Sequence, residues 1–286
     1  MTRMGHSMEY DPGLLATLHR QANQIRQESI RMIAAAGTGH PGGALSEADI
    51  LAALYFSVLR IDPQNPHWPD RDRFILSKGH ACAGLYAALA LRGYFPIETL
   101  ATFRRFGSIL QGHPDMTKTP GVDMTTGPLG NGLGAGVGMA LGARITGRKF
   151  RVFVLIGDGD AQEGCTWEAS MLAGFQKLSN LVCIYDYNHS QVDGPTYEIL
   201  SLDPVVEKWQ AFNWAVRVID GHDMPDILDA LAWAVEHRDS PSLIVAKTIK
   251  GKGVSFMEDQ AAWHGKAPNV EQAEQALKEL MQEEQA

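Results

Sequence analysis

The spacing of apolar residues predicts mainly helices in the first third of the chain. Over residues 14–36 apolar side chains recur every three or four positions, as on one face of a helix, and Gly37 follows as a helix-ending residue. A second helix is expected to run from Ser46, as its N-cap, to about Leu59, with Asp49 completing a partial capping box.

Two further helices and a long loop are expected before the middle of the chain. Residues 81–91 are predicted to form the third helix, and Pro96 is interpreted as the start of a fourth. Residues 106–132 are rich in Gly, Pro and Thr and show little periodicity. We therefore predict a long loop there, and such loops within compact domains are often functional.

Continuous apolar runs mark the second half of the chain. Val152-Phe153-Val154-Leu155-Ile156 is such a run, typical of a strand that is buried on both faces. Further strands are predicted over residues 181–185, 214–219 and 243–248, and helices over residues 163–178 and 227–237. This alternation predicts an α/β fold with a parallel central sheet and helices on both faces.

Candidate chemistry begins just after the first of these strands. Gly157-Asp158-Gly159 would stand at its carboxyl end, where open α/β sheets bind ligands, and Asn188 would end the next strand. The two loops should therefore lie side by side. An Asp carboxylate, an Asn amide oxygen and a backbone carbonyl form half an octahedron of oxygen ligands for Mg²⁺, which diphosphate oxygens and water can complete. Gly-Asp-Gly alone is common turn chemistry, so the strand and Asn context carries the argument.

Five short motifs accompany this pair of loops. They are Gly39-His40-Pro41-Gly42-Gly43, Ser77-Lys78-Gly79-His80-Ala81, Gly112-His113-Pro114, Thr126-Gly127-Pro128-Leu129-Gly130 and Trp263-His264-Gly265. Together with Gly157-Asp158-Gly159 and Asn188 they resemble, in the same order, the motifs of transketolase, a thiamine diphosphate enzyme family. The resemblance runs from about Ile25 to His264 and implies the thiamine diphosphate-binding fold, specifically its diphosphate-binding domain.

The resemblance also implies which residues hold the cofactor. Magnesium, for which Ca²⁺ or Mn²⁺ could substitute, is expected on Asp158, Asn188 and the backbone carbonyl of Ser190. The thiamine diphosphate contacts are expected from His80, Gly127, Pro128, Leu129, Asp158, Gly159, Asn188 and His264. Of these, His80, Gly159 and His264 would contact the diphosphate, and residues 127–129 the aminopyrimidine.

Catalytic roles are implied for three histidines and one glutamate. His40, His113 and His264 would face the end of the sugar that is transferred, where protons move between hydroxyl and carbonyl groups near neutral pH. Glu163 resembles a glutamate at the subunit interface that couples paired sites. Any one histidine in isolation would be interpreted as structural, and only the shared context favours catalysis. The others, interpreted as structural or exposed, are His6, His19, His67, His189, His222 and His237.

Composition narrows the partners and the compartment. The 286 residues are 45% apolar and carry a net charge of -8, which argues against nucleic acid or anionic membrane as the main partner. Three separated cysteines indicate small buried residues in a reducing compartment rather than disulfides. No apolar run is long enough to span a membrane, and residues 1–10 do not resemble a signal peptide, so a cytoplasmic protein is expected.

One domain, 1–286, is expected, because no repeat or linker is visible. Residues 1–12 and 269–286 are expected to be peripheral or flexible, the latter as a charged, exposed helix or a frayed tail. The glycines between Gly130 and Gly142 superficially resemble a dinucleotide fingerprint, but no predicted strand precedes them, so close helix packing is favoured. Lys250-Gly251-Lys252-Gly253 is interpreted as a flexible turn near the site that could touch diphosphate.

The resemblance covers only part of a transketolase, which continues into a pyrimidine-binding domain and a C-terminal domain. We therefore expect the N-terminal subunit of a split enzyme, inactive alone, that forms an α2β2 assembly with a separate C-terminal subunit and acts on sugar substrates. The alternatives are the α subunit of a 2-oxo acid dehydrogenase-like enzyme and a non-catalytic cofactor-binding domain. The particular ketose and aldose stay open.

Overall fold

The computed structural model describes residues 9–283; residues 1–8 and 284–286, with His6 and the outermost parts of both expected peripheral ends, lie outside it. The helices are α1 (Pro12–Ala36), α2 (Pro41–Ser46), α3 (Ala48–Ala53), α4 (Cys82–Arg92), α5 (Asn131–Ile145), α6 (Asp158–Ala161), α7 (Gly164–Phe175), α8 (Thr196–Ile199), α9 (Val205–Ala211), α10 (Met224–Glu236) and α11 (Val270–Glu283). The strands are β1 (Arg73–Leu76), β2 (Val152–Gly157), β3 (Leu181–Tyr187), β4 (Ser190–Gln191), β5 (Gly194–Pro195), β6 (Ala215–Asp220) and β7 (Ser242–Lys247).

A five-stranded parallel sheet in the order β1-β2-β3-β7-β6 forms the centre, which confirms the predicted α/β class. The four predicted strands lie within one or two residues of their expected bounds. The edge strand β1 was missed, because its four residues are too few to show a period and follow an irregular proline-containing segment. A separate two-stranded hairpin pairs β4 with β5.

Helices cover both faces of the sheet, and this explains the continuous apolar runs. Phe153 and Leu155 of β2 pack into a cluster with residues of α1, α3, α4 and α10. Val152, Val154 and Ile156 point the other way, into a cluster with residues of α5, α7 and α9. Every residue of β2 is therefore buried, as parallel strands between two helical layers require.

The expected helix over 46–59 is not continuous, and Ser46 is not its N-cap. Ser46 ends α2 and is fully buried, with its hydroxyl donating to the Asp186 carboxylate at 2.7 Å. Asp49 is also buried and pairs with the Arg26 guanidinium instead of a backbone N–H. Tertiary partners thus engage both side chains that the local pattern had assigned to capping. A π-helical turn, Leu54–Val58, completes the segment.

Glycines on α5 allow this helix to pack closely against the sheet. The sequence had favoured this role over a dinucleotide-binding fingerprint, which would require a strand directly before the glycines. A Cβ on Gly132 would lie 2.5 Å from the Ser77 side chain, and one on Gly136 would lie 2.5 Å from Val154. Gly138, on the open side of the helix, would meet nothing within 4 Å. The glycine pattern therefore reflects the approach of α5 to the sheet.

The sequence suggested a charged, exposed helix or a frayed tail at the C-terminus. In the structure one face of the helix α11 is buried. Ala273, Ala276 and Leu280 of α11 are buried in a small cluster with Ile30 of α1. Asn23 of α1 donates to the Leu280 carbonyl at 2.8 Å. Among its many charged residues, α11 therefore carries an apolar stripe at helical spacing, formed by Ala273, Ala276 and Leu280.

Cys82 and Cys183 are buried, as expected, whereas Cys165 is only half-buried, and none of the three forms a disulfide.

The turn at residues 250–253, which was expected to be flexible, is packed. Lys250 is buried, and the Gly251 backbone N–H donates to the Gly42 carbonyl at 3.0 Å. Within residues 9–283 no helix combines the length and apolar character that crossing a membrane would need.

Candidate cofactor site

The carboxyl ends of β2, β3 and β7 meet at one edge of the sheet, beside a cleft of about 270 Å³. Gly157 of β2 is paired with Asp186 of β3, so the loops after these strands begin side by side, as the sequence predicted. Eight of the twelve sequence-predicted site residues line the cleft, and they are His80, Leu129, Asp158, Gly159, Glu163, Asn188, Ser190 and His264.

Asp158 and Asn188 direct oxygen atoms toward a common point. Asp158 is 2% exposed and begins α6 directly after β2. The Ser190 backbone N–H donates to Asp158 Oδ2 and to Asn188 Oδ1, each at 3.2 Å. The Tyr185 hydroxyl donates to Asp158 Oδ1 at 2.8 Å. Burial raises the pKa of Asp158 to about 7, so the carboxylate lacks a full counter-charge that a cation could supply.

A buried ionic network that the sequence did not indicate lies behind these oxygens. Asn188 Nδ2 donates to Asp186 Oδ2 at 3.2 Å, which orients the amide so that Oδ1 is turned away from Asp186. Asp186 Oδ2 also accepts from Lys78 Nζ at 2.6 Å and from Ser46 at 2.7 Å. Lys78 forms a second ion pair with Glu47 at 2.8 Å. Burial opposes ionisation of Asp186, but the Lys78 ammonium outweighs it and lowers the pKa of Asp186.

His40, His80 and His264 form a cluster whose ring centroids are 5.0 to 5.6 Å apart. Burial, reinforced by neighbouring positive groups, lowers the pKa of His40 to about 4 and that of His264 to about 3. The same causes lower the pKa of His80. His40 Nδ1 is buried and has no hydrogen-bond partner in the part of the chain that is described. At neutral pH the three rings are therefore uncharged, each with one donor and one acceptor nitrogen.

Lys250 reaches this cluster from the turn after β7. Its side chain is 2% exposed, and Nζ donates to Ser190 Oγ at 3.0 Å and to His264 Nδ1 at 2.8 Å. Burial and the positive charge of Lys78 lower the pKa of Lys250 to about 8. The charged form of Lys250 is thus disfavoured at this position, and a bound anion would stabilise it.

The remaining predicted residues lie beside the cleft. A Cβ on Gly127 would stand 3.6 Å from the His113 ring, so the long loop brings these two motifs together. Leu129 contacts Gly159, whose Cβ would be 3.0 Å from the leucine Cδ1, whereas Pro128 is exposed. Burial lowers the pKa of His113, with a contribution from a neighbouring arginine.

Glu163 and His40 complete the set. Glu163 immediately precedes α7, lines the cleft and is exposed. His40 does not line the cleft but reaches it through its ring contacts with His80 and His264.

The chemistry of the donor set fits a divalent cation with a diphosphate. Asp158 and Asn188 offer converging oxygens, while Lys250, His80 and His264 offer hydrogen-bond donors on the same cleft. Among residues 9–283 no three His, Cys, Asp or Glu side chains converge as a metal site. A metal held by Asp158 and Asn188 would therefore need backbone and phosphate oxygens as further ligands, as Mg²⁺ commonly does.

Sequence reasoning missed the residues that act behind the cleft. Lys78 stood inside a recognised motif, but no role was assigned to it. Tyr185 ended a predicted strand and Asp186 followed it directly, so a polar residue next to an apolar run was the available signal. Lys250 was recognised only as part of a turn near the site. Its burial could not be read from a sequence of lysines and glycines.

The sequence matches the model of one protein family, and it is similar to relatives over nearly their whole length. Residues 17–284 match the family model "Transketolase, thiamine diphosphate binding domain". The chain is 48% identical over 266 residues to 6-deoxy-6-sulfo-D-fructose transketolase subunit SqwG of Clostridium sp. (strain MSTE9), covering 93% of this chain and 97% of that protein. It is 41% identical over 264 residues to one of the subunits of the apulose-4-phosphate transketolase of Phocaeicola vulgatus, covering 92% and 94%.

Solved transketolase structures have the same fold over part of their length. The Campylobacter jejuni enzyme superposes with a TM-score of 0.89 at 36% identity, covering 95% of this chain and 43% of that one. The chain thus spans about two fifths of that transketolase, whereas it covers nearly all of the two subunits named above. With the family match over residues 17–284, the chain belongs to the transketolase family, in which it carries the thiamine diphosphate binding domain.

Proposed function

We propose that this chain is the cofactor-anchoring subunit of a two-subunit transketolase, which moves a two-carbon ketol unit from a ketose to an aldose. The observation that carries the proposal is the cleft, where the paired oxygens of Asp158 and Asn188 face the cationic and histidine side chains. Similarity supports a subunit, because this chain matches nearly the whole of relatives that are named as transketolase subunits.

The cofactor would be held at two ends. Asp158, Asn188 and the Ser190 carbonyl would bind Mg²⁺, and Ca²⁺ or Mn²⁺ could replace it. The diphosphate would contact His80, Gly159, His264 and Lys250, while residues 127–129 would line the aminopyrimidine. Thiamine diphosphate, when bound, supplies a carbon nucleophile, so the chain itself need not provide one.

The histidines would bind the sugar and move its protons. Because the pKa values of His40, His113 and His264 are lowered, all three rings are neutral near pH 7. A neutral imidazole can accept a proton from a hydroxyl through one nitrogen and donate through the other. The unpartnered Nδ1 of His40 supports this assignment, since a sugar hydroxyl would satisfy it.

A second subunit would complete the site. In this proposal it carries the pyrimidine-binding and C-terminal domains, and the assembly is α2β2. The hairpin and α8 beside the cleft expose the apolar side chains of Val192, Tyr197 and Leu200, which supports a contact on that side. Glu163, exposed at the cleft, would lie at the interface and couple the paired sites.

The substrate would be an anionic sugar in the cytoplasm. The relatives named above act on a sulfonated and on a phosphorylated sugar, according to their names, and both are anionic. The three free cysteines support a reducing compartment. The family match favours a transketolase over the 2-oxo acid dehydrogenase alternative, and an assay that offers a ketose against a 2-oxo acid would separate them directly.

The metal assignment is tested by replacing Asp158 with Ala in the complex reconstituted with the C-terminal subunit. Mg²⁺-dependent binding of thiamine diphosphate, followed by titration calorimetry, should be lost. Asp193→Ala is the matched control, because Asp193 also lines the cleft but is exposed. Unchanged affinity in Asp158→Ala would refute the metal site.

The need for a second subunit is tested with the same preparations. The chain alone, given cofactor and Mg²⁺, should show no ketol transfer, and addition of the C-terminal subunit should restore it. Transfer by the chain alone would refute the two-subunit proposal. A native complex without any pyrimidine-binding partner would favour the non-catalytic alternative.

A further inference from the structure

His222 lies outside the cleft, in the loop after β6, and joins two parts of the molecule through its ring. Its Nε2 accepts from the Ile249 backbone N–H at 2.8 Å, and its Nδ1 lies 2.7 Å from Asp49 Oδ2. Because Nε2 is occupied as an acceptor, Nδ1 must carry the proton and donate to the carboxylate. Both ring nitrogens are therefore engaged, and the ring orientation is fixed.

Asp49 is itself held firmly. It is 4% exposed and forms an ion pair with Arg26, which also donates from Nε to the Leu45 carbonyl at 3.2 Å. Burial opposes ionisation of Asp49, but Arg26 and the bond from His222 outweigh it and lower the pKa of Asp49 to about 2. The imidazole thus stands on a rigid, charged support formed by α1 and α3.

Ile249, whose backbone N–H donates to His222, directly precedes Lys250. Lys250 is buried, and both burial and the charge of Lys78 disfavour its ammonium group there. On the other side of the turn Gly251 donates to the Gly42 carbonyl at 3.0 Å. The Ile249 bond to His222 and the Gly251 bond therefore bracket Lys250 on both sides.

We propose that His222 is a positioning residue, which fixes the backbone at Ile249 and thereby keeps Lys250 Nζ in the cofactor cleft. The inference rests on the proposed function in one respect, that Lys250 contacts the diphosphate. A merely structural role would act through the other nitrogen, by joining the β6 loop to Asp49. The two roles use different atoms of one ring and can be separated.

Two conservative substitutions separate these atoms. In His222→Gln the side-chain amide reaches the place of Nε2, so its oxygen can still accept from Ile249, while the bond to Asp49 is lost. In His222→Asn the amide reaches the place of Nδ1, so it can still donate to Asp49, while Ile249 loses its acceptor. Both are measured in the full chain and in the Lys250→Ala background.

The probe is inorganic pyrophosphate with Mg²⁺, titrated into the full chain by calorimetry. His222→Asn should weaken binding about 10- to 100-fold, as is usual when a supporting hydrogen bond behind a ligand contact is removed, while His222→Gln stays near the wild type. With Lys250→Ala, which itself weakens binding, His222→Asn should cause no further loss, because its effect acts through Lys250.

Hydrogen exchange at the Ile249 amide gives a readout that is independent of the ligand. The amide should be protected in the wild type and in His222→Gln and should exchange faster in His222→Asn. Equal affinities in the two His222 variants, or a loss by His222→Asn that persists in Lys250→Ala, would overturn the proposal. An unchanged affinity in Lys250→Ala would also overturn it, while Asp158→Ala would still test the metal site separately.

Discussion

Removal of the Lys78 charge should destabilise the fold strongly. Lys78 Nζ is the cation between two buried carboxylates, at 2.8 Å from Glu47 and 2.6 Å from Asp186, and it also donates to the Gly43 carbonyl at 2.8 Å. Both carboxylate side chains are 0% exposed. Lys78→Met keeps a linear side chain and removes the charge, so Asp186 is left buried without its counter-ion.

Breaking a buried ion pair from one side costs about 3–5 kcal/mol. At about 2 °C per kcal/mol for a chain of this size, the melting temperature should fall by roughly 6–10 °C. Glu47→Gln is the matched control, because it leaves a one-to-one pair of Lys78 with Asp186, so the buried carboxylate keeps its counter-ion. Equilibrium unfolding in urea measures both variants.

The control also has a signature in pH. Burial raises the pKa of Glu47 to about 7, despite the opposing effect of Lys78, from an ordinary value near 4.5. The folded state therefore binds more protons than the unfolded state, so this contribution is fully present below pH 4.5 and is lost as pH rises through 7. The loss is on the order of 3 kcal/mol, and Glu47→Gln should lack it.

Two results would refute this reasoning. If Lys78→Met unfolds within about 1 kcal/mol of the wild type at pH 7, Lys78 and Asp186 do not form a buried ion pair that stabilises the fold. If the stability difference between the wild type and Glu47→Gln is constant from pH 4.5 to 7, the Glu47 carboxyl is not the group that titrates there. Comparing the two proteins at each pH cancels the titration of the other carboxyls.

Three further predictions concern packing and metal binding. Gly136→Ala should destabilise the fold, because its Cβ would lie 2.5 Å from Val154, whereas Gly138→Ala, with nothing within 4 Å, should be neutral or gain up to about 1 kcal/mol from helix propensity. Equal melting temperatures would contradict the packing role of α5. Leu280→Ala should cost about 2–5 kcal/mol in urea unfolding if α11 belongs to the core, and a loss under about 0.5 kcal/mol would mean a detached helix. Tyr185→Phe removes the 2.8 Å bond to Asp158, so Mg²⁺ affinity in cofactor titrations should fall about tenfold with little change in stability, and unchanged affinity would show that this hydroxyl does not orient the carboxylate.

Much of the sheet could be predicted from the sequence, because strands that are buried on both faces consist of continuous apolar runs. Val152 to Ile156 is apolar at every position, as a strand covered on both faces requires. The four-residue strand β1 carries too little pattern, and its place at the edge depends on pairing with β2. Ser46 was misassigned for the opposite reason, since a local capping preference was overridden by a distant partner, Asp186.

The α/β class, the loops at the strand ends and the candidate ligands Asp158 and Asn188 all follow from the order of residues along the chain. Short-range patterns suffice there, because strand burial and loop position depend on neighbouring residues. The convergence of Asp186, Lys78 and Lys250 on these ligands arises only in the folded molecule. Their meeting depends on parallel strands brought together from separate parts of the chain, and the desolvation that makes the charges interact strongly exists only after the core has closed.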